Sequence, residues 1–182
     1  RYFGLISGAS SYYELVTETM GKRIMADEDT PFTPPAEGFY MTTAITDRAV
    51  DYIRTHEQAA PDKPFMLYLA YTAPHWPLHA PDAAVRKYDG VYDKGWPDVR
   101  AKRLSRLKSQ GMADLAVDAA NWPAGREDWD RYPDKAGWAR RMQVHAAMVE
   151  LADAGLARVV ETLEQSGDLD NTSGAHESGQ RA

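Results

Sequence analysis

An α/β fold is what this sequence predicts, and three stretches predict it. Residues 65–71, Phe-Met-Leu-Tyr-Leu-Ala-Tyr, are apolar without alternation, and Pro74 follows closely. That is the pattern of a strand buried on both faces, placed at about 64–71. Ahead of it lies an amphipathic helix from about Tyr40, with Ala44, Ile45, Ala49, Val50 and Ile53 on one face. The third stretch, about 136–166, repeats apolar residues every three or four positions: Trp138, Met142, His145, Val149, Ala152, Leu156, Val159 and Leu163. It predicts one long helix with a continuous apolar seam. Helix, short turn and all-apolar strand form half of a βαβ unit.

Each remaining segment takes its place around that frame. Tyr2–Ile6 predicts one short strand within a Gly- and Ser-rich opening. Leu15–Met25 is left open between a short strand and an irregular connection. Ala26–Gly38, with Asp27, Glu28, Asp29 and three prolines, predicts an exposed loop, its acidic trio a solvated turn. Thr42 or Thr43 can cap the first helix. Asp47, Arg48, Asp51 and Arg54 fall off its apolar face, and Ala59–Lys63 ends it. Pro81 starts a short helix to Tyr88, and Trp96-Pro97-Asp98 opens a basic helix to about Gln110 that Gly111 stops. Residues 112–133 are irregular, and Trp122 and Trp129 read as anchors of a surface loop ahead of the alternative, the lining of a groove. Gly167 ends the long helix, and Asp168–Thr172 reads as a turn toward a further strand. The tail 173–182 is polar and expected to be disordered.

Composition narrows the function classes. With 182 residues, 43% of them apolar, the chain can bury a core as a single globular domain. A formal charge of −6 argues against an extended nucleic-acid surface. The local cluster Arg100, Lys102, Arg103, Arg106 and Lys108 reads as the wet face of a helix. No run approaches the roughly 18 apolar residues that cross a bilayer. Without cysteine there is no disulfide, thiolate metal site or cysteine nucleophile. The start at Arg1, without an initiator methionine or signal pattern, reads as a missing N-terminus, so the compartment is not directly legible.

The histidines sort by place. His56 sits near the charged end of a helix and reads as a surface residue. His145 lies in the long seam and is expected to be packed and hydrogen-bonded, and His176 belongs to the tail. His75 and His79 differ, because they lie in the loop leaving the apolar strand. Open α/β sheets build sites at the C-terminal ends of such strands. Pro74 and Pro77 restrict the backbone around His75, whose imidazole could hydrogen-bond an oxyanion or titrate near neutrality. No Gly-x-Ser-x-Gly elbow, phosphate-cradling glycine loop, His-Glu-x-x-His or Gly-x-Gly-x-x-Gly occurs. If the chain is an enzyme, most of its site is expected outside these residues.

The stretch KPFMLYLAYTAPHWPLHAP closely resembles the central region of arylsulfatases in the sulfatase family. So do RYFGLISGASSYYE, GFYMTTAITDRAVDYI, KYDGVYDKGW and RRMQVHAAMVELADAGLARVVETLEQSGDLDNT, in the family's order from Arg1 to Thr172. The resemblance implies an alkaline-phosphatase-like α/β fold and hydrolysis of sulfate esters by a formylglycine made from Cys or Ser, with calcium clamping the sulfate. It implies that His75, in Pro-His-x-Pro, contacts the substrate sulfate or the leaving-group oxygen. His79 is a second substrate-binding candidate. The family's Cys/Ser-x-Pro-x-Arg motif and its early paired aspartates have no match here. Asp170-Asn171 is followed by Thr172, and the family's metal-binding Asp-Asn-Gly lies beyond the next strand, before which this sequence departs at Ser173, so no metal ligand is assigned to this chain. The expectation is a partial catalytic domain over 1–172 and a divergent tail over 173–182, the chain truncated at both ends and inactive alone. Its substrate would be a sulfated small molecule or carbohydrate, with no nucleic-acid or membrane partner. Relatives that are often exported suggest a periplasmic or secreted setting. The alternatives are a phosphate or phosphonate ester hydrolase of the same superfamily, and a helical interaction module built on the long seam.

Overall fold

A computed structural model describes residues 1–6, 8, 10–17, 21–112 and 129–175. Trp122, Pro123, Arg126–Asp128, His176 and the end of the tail therefore lie outside the described residues. Two compact units emerge: Arg1–Ala73 together with the chain from Leu151 on, and Pro74–Glu150.

In the first unit, β1 (Phe3–Leu5), β4 (Met25–Asp27) and β5 (Thr30–Phe32) form an antiparallel sheet in the order β1-β4-β5. Phe3 pairs with Asp27, and Met25 with Phe32. β2 (Val16–Thr17) and β3 (Gly21–Lys22) make a separate small hairpin. The expected strand at Tyr2–Ile6 is therefore present. The expected loop over Ala26–Gly38 is instead partly a hairpin. Glu28 takes a left-handed conformation (φ 56°) at its turn, and Pro31 is tolerated because β5 is an edge strand. Arg48 ties this hairpin to the first helix, pairing with Asp27 and lying 4.7 Å over the Phe3 ring.

The first helix, α1, runs Met41–Ala59. Its N-cap is Tyr40, without a side-chain cap. Thr42 is not the cap: Thr42 and Thr46 are buried on the same face as Ile45, Ala49, Val50 and Ile53. That face meets the C-terminal half of α4 (Lys135–Ser166). Ala49, Val50, Ile53, Val159 and Leu163 form the core there, with Leu67, Leu69 and Leu169 packed against it. Full burial of a Val, Leu or Ile side chain contributes about 1.5–3 kcal/mol.

The predicted buried strand at 64–71 does not form. Those residues have no regular secondary structure, and Met66 and Tyr68 are 92% and 85% exposed. Leu67, Leu69 and Tyr71 face inward and the residues between them face out, so the side-chain period of two is kept. An all-apolar strand needs hydrogen-bonded neighbours on its edges and cover on both faces. Among the described residues only helices cover it, and on one face.

The long helix forms as predicted, but its buried stripe is shifted. Gly155, Val159, Thr162 and Leu163 are buried in the first unit, and Ala139, Gln143, Ala147 and Met148 in the second. Trp138, Val149 and Leu156 of the expected seam are exposed, and so is His145. Small residues at 139, 147 and 155 allow closer helix approach than the bulkier ones, and close packing selects that side.

The second unit holds the loop 74–81, α2 (Asp82–Arg86), α3 (Gly95–Ser109) and the N-terminal half of α4. Trp96 is its aromatic centre, edge-on to Trp129 (4.8 Å), Tyr132 (4.7 Å) and Trp138 (5.9 Å). Gly95 makes this possible. Its φ is +70°, and a Cβ there would lie 2.1 Å from the Trp129 ring. Trp129 is buried, and the rest of the stretch it is expected to anchor lies largely outside the described residues.

Candidate functional site

The loop Pro74–Ala80 carries both candidate histidines. His75 is exposed and His79 half-buried. The Trp76–Pro77 peptide is cis. The His75 Nδ1 lies 2.6 Å from the Trp76 carbonyl oxygen. A carbonyl only accepts, so Nδ1 carries a proton there. The ring is thereby oriented by its own loop. A neutral imidazole protonated at Nδ1 can accept a proton at Nε2, and the imidazolium can donate one to an anionic oxygen.

Upstream of the loop, inside the first unit, the chain is held at two successive residues. The Tyr71 hydroxyl is 2.7 Å from Thr46 Oγ1, which itself bonds the Thr42 carbonyl at 2.9 Å. Because the single Thr46 proton goes to that carbonyl, Tyr71 is the donor to Thr46. Burial raises the Tyr71 phenol above its ordinary pKa of 10.0, with the Thr46 bond and Arg158 working against the rise. Thr72 points the other way. Its hydroxyl donates to the Met41 sulfur at 3.2 Å and bonds Tyr12, both residues being almost fully buried. Burial raises the Tyr12 phenol as well, with the Thr72 bond opposing it.

Downstream, within the second unit, Glu150 accepts from Lys87 and, at 2.9 Å, from the Tyr88 hydroxyl. The Lys87 bond holds the Glu150 carboxyl below its ordinary 4.5 against desolvation, and Tyr88 adds to the effect. The Tyr88 phenol is pushed up to about 12 by burial and by that carboxylate. Arg140 pairs with Asp82 at 3.6 Å. These contacts fasten the segment after the loop to α4.

The other histidines have structural settings. His56 Nε2 meets the Lys63 carbonyl at 2.7 Å and its ring lies against Phe65, which closes the turn after α1. His145 is not packed in a seam. Desolvation and the nearby Arg103 charge hold its pKa below 6.5. The basic residues of α3 form a largely solvated face, as the sequence predicts. Among the described residues, no cluster of three or more His, Asp or Glu side chains could hold a metal ion. A cleft of about 570 Å³ between the sheet and α1, lined by Phe3, Phe32, Phe39 and Arg48, contains neither candidate histidine.

Sequence reasoning missed Tyr71, Thr72, Thr46 and Gly155. A signal existed in each case: two hydroxyl residues end an otherwise apolar run, and a glycine interrupts a helix where it costs about 1 kcal/mol against alanine.

The family model described as Sulfatase matches residues 8–173, a span that contains the whole of this loop and both of its anchors. The chain belongs to the sulfatase family. It is 35% identical over 159 residues to an uncharacterized sulfatase of Schizosaccharomyces pombe, covering 78% of this chain and 28% of that protein. It is 32% identical over 143 residues to an arylsulfatase of Klebsiella aerogenes, covering 75% of this chain and 29% of that enzyme. The chain thus spans less than a third of the length of these curated relatives. Sulfatases are sulfate ester hydrolases with an alkaline-phosphatase-like α/β fold. The helices and small antiparallel sheet described here are the part of that fold this chain carries. Among the described residues no helix is long and apolar enough to cross a membrane.

Proposed function

We propose that the chain is part of a sulfuric ester hydrolase of the arylsulfatase type, cleaving sulfate monoesters of small molecules or carbohydrates. His75 contacts the sulfate or the leaving-group oxygen, with His79 as a further substrate contact. The observation that carries this reading is the family match across residues 8–173, which includes Pro74-His75-Trp76-Pro77. The orientation of the His75 ring supports it. With Nδ1 donating to the Trp76 carbonyl, the proposed substrate contact is assigned to Nε2. As an S–O bond breaks, negative charge gathers on the leaving oxygen, and an imidazolium N–H stabilises it.

Calcium, which the family uses to clamp sulfate, does not fit the described residues, among which no three His, Asp or Glu side chains converge. The chain has no cysteine from which a formylglycine could form, and no Ser-x-Pro-x-Arg. On this reading the nucleophile and the metal ligands of the working enzyme are supplied from outside this chain, and the isolated chain does not turn over. In that longer protein, residues 65–71 gain strand neighbours and complete the strand their composition predicts.

The test is hydrolysis of an aryl sulfate and of the matching aryl phosphate by the longer protein and by the 182-residue chain. Sulfate hydrolysis by the longer protein alone, reduced at least a hundredfold by His75→Ala, is expected. Preference for the phosphate would favour a phosphoester hydrolase, and turnover by the isolated chain would refute its inactivity.

A further inference from the structure

We propose that Tyr71, Thr46 and Gly155, with Thr72 and Tyr12 beside them, form a positioning clamp for the chain that delivers His75. The inference rests on the reading of His75 given above and adds residues that contact no substrate. Tyr71 precedes His75 by four residues and Thr72 by three, and Pro74 fixes one backbone angle between. Three residues reach at most about 10 Å, so the two hydroxyls hold the chain immediately before the histidine loop.

The two anchors face opposite ways, as successive residues of an extended chain do. Tyr71 donates to Thr46, and Thr46 is in turn held by the Thr42 carbonyl one turn back on α1. Thr72 is seated against Met41 and Tyr12. A one-residue slip would exchange these contacts and leave a half-buried phenol without its acceptor. Gly155 sets the depth. A Cβ there would lie 2.4 Å from Thr46 Oγ1 and 2.5 Å from the Tyr71 hydroxyl, so only a residue without a side chain lets both approach. Among the described residues no comparable polar side-chain bond is made by segment 65–70, which leaves the two hydroxyls as its register points.

The test compares Thr46→Val, Tyr71→Phe and the conservative Thr46→Ser. In the 182-residue chain, amide relaxation is measured at Ala73, His75 and Trp76, with α1 amides as the folding control. Parent and Thr46→Ser are expected to give loop order parameters near about 0.85, and Thr46→Val and Tyr71→Phe below about 0.6, with α1 unchanged. In the longer protein, kcat for an aryl sulfate is expected to fall about tenfold in Thr46→Val and Tyr71→Phe with KM little changed, and Thr46→Ser to restore it. The proposal is overturned if the loop is as mobile in the parent as in the variants, if α1 loosens equally, or if Thr46→Ser behaves like Thr46→Val. A longer protein with no sulfatase activity would instead sink the functional reading, and the relaxation result would still decide the clamp.

Discussion

Replacing Gly155 by alanine tests the packing on which the first unit depends. The added methyl would sit 2.4 Å from Thr46 Oγ1 and 2.5 Å from the Tyr71 hydroxyl, well inside van der Waals contact. Overpacking of this kind costs about 1–3 kcal/mol. Parting Tyr71 from Thr46 leaves a half-buried phenol without its acceptor, about 1–3 kcal/mol more. Alanine returns about 1 kcal/mol through helix propensity. The net is a loss of about 3 kcal/mol, a large share of the 5–15 kcal/mol typical of a domain. Urea unfolding followed by circular dichroism reads it as a midpoint lowered by about 1–2 M. Gly155→Ala with Thr46→Ala should lose less than the sum of the single variants, because removing Oγ opens the space the methyl needs. A neutral or stabilised Gly155→Ala would refute the reasoning, since propensity would then outweigh contact and the helices would not be held at this depth.

Two further outcomes follow from the same kind of accounting. Gly95→Ala combines a φ of +70° with a methyl 2.1 Å from the Trp129 ring, so it should cost more than about 2 kcal/mol. A red-shifted tryptophan emission at lower urea would register that loss. Stability should also fall at both pH extremes. Glu150 is depressed below 4.5 in the folded chain by Lys87 and Tyr88, so its contribution is full above that value and is lost as pH drops through the folded pKa. Tyr40 is raised by burial to about 12, so its contribution is full below 10 and lost as pH climbs from 10 through 12. Lys87→Met should flatten the acid limb in urea midpoints taken across pH.

Local chemistry was legible where a residue's role depends on its neighbours in sequence. α1, α3, α4 and the strand at Phe3–Leu5 follow from periodicity and from stop signals such as Gly111 and Gly167. The histidine loop was found the same way, from its prolines and the apolar run before it. What escaped depends on partners far along the chain. The hairpin at Met25–Phe32 hid behind its acidic turn and Pro31, because β4 is stabilised by β1, some twenty residues earlier. On α4, apolar spacing fits two faces, and only the approach of α1 selects Gly155 over Leu156. Thr46 and Tyr71 are 25 residues apart, and nothing local links a buried threonine to a phenol. The strand at 64–71 failed for a different reason. Composition reports the surroundings a segment is suited to, while its conformation reports the surroundings it has.

The alternation of residues 65–71 gives substitutions there a parity. In the 182-residue chain, truncating Leu67, Leu69 or Tyr71 removes contacts to α1 and α4, whereas truncating Met66, Tyr68 or Ala70 removes almost none. In the longer protein proposed above, the even positions acquire contacts too, and their tolerance disappears. The difference between the two scans, residue by residue, is a map of where the rest of the protein touches this segment. The exposed side of a short apolar run thus works as a built-in reporter of assembly, read by mutation alone.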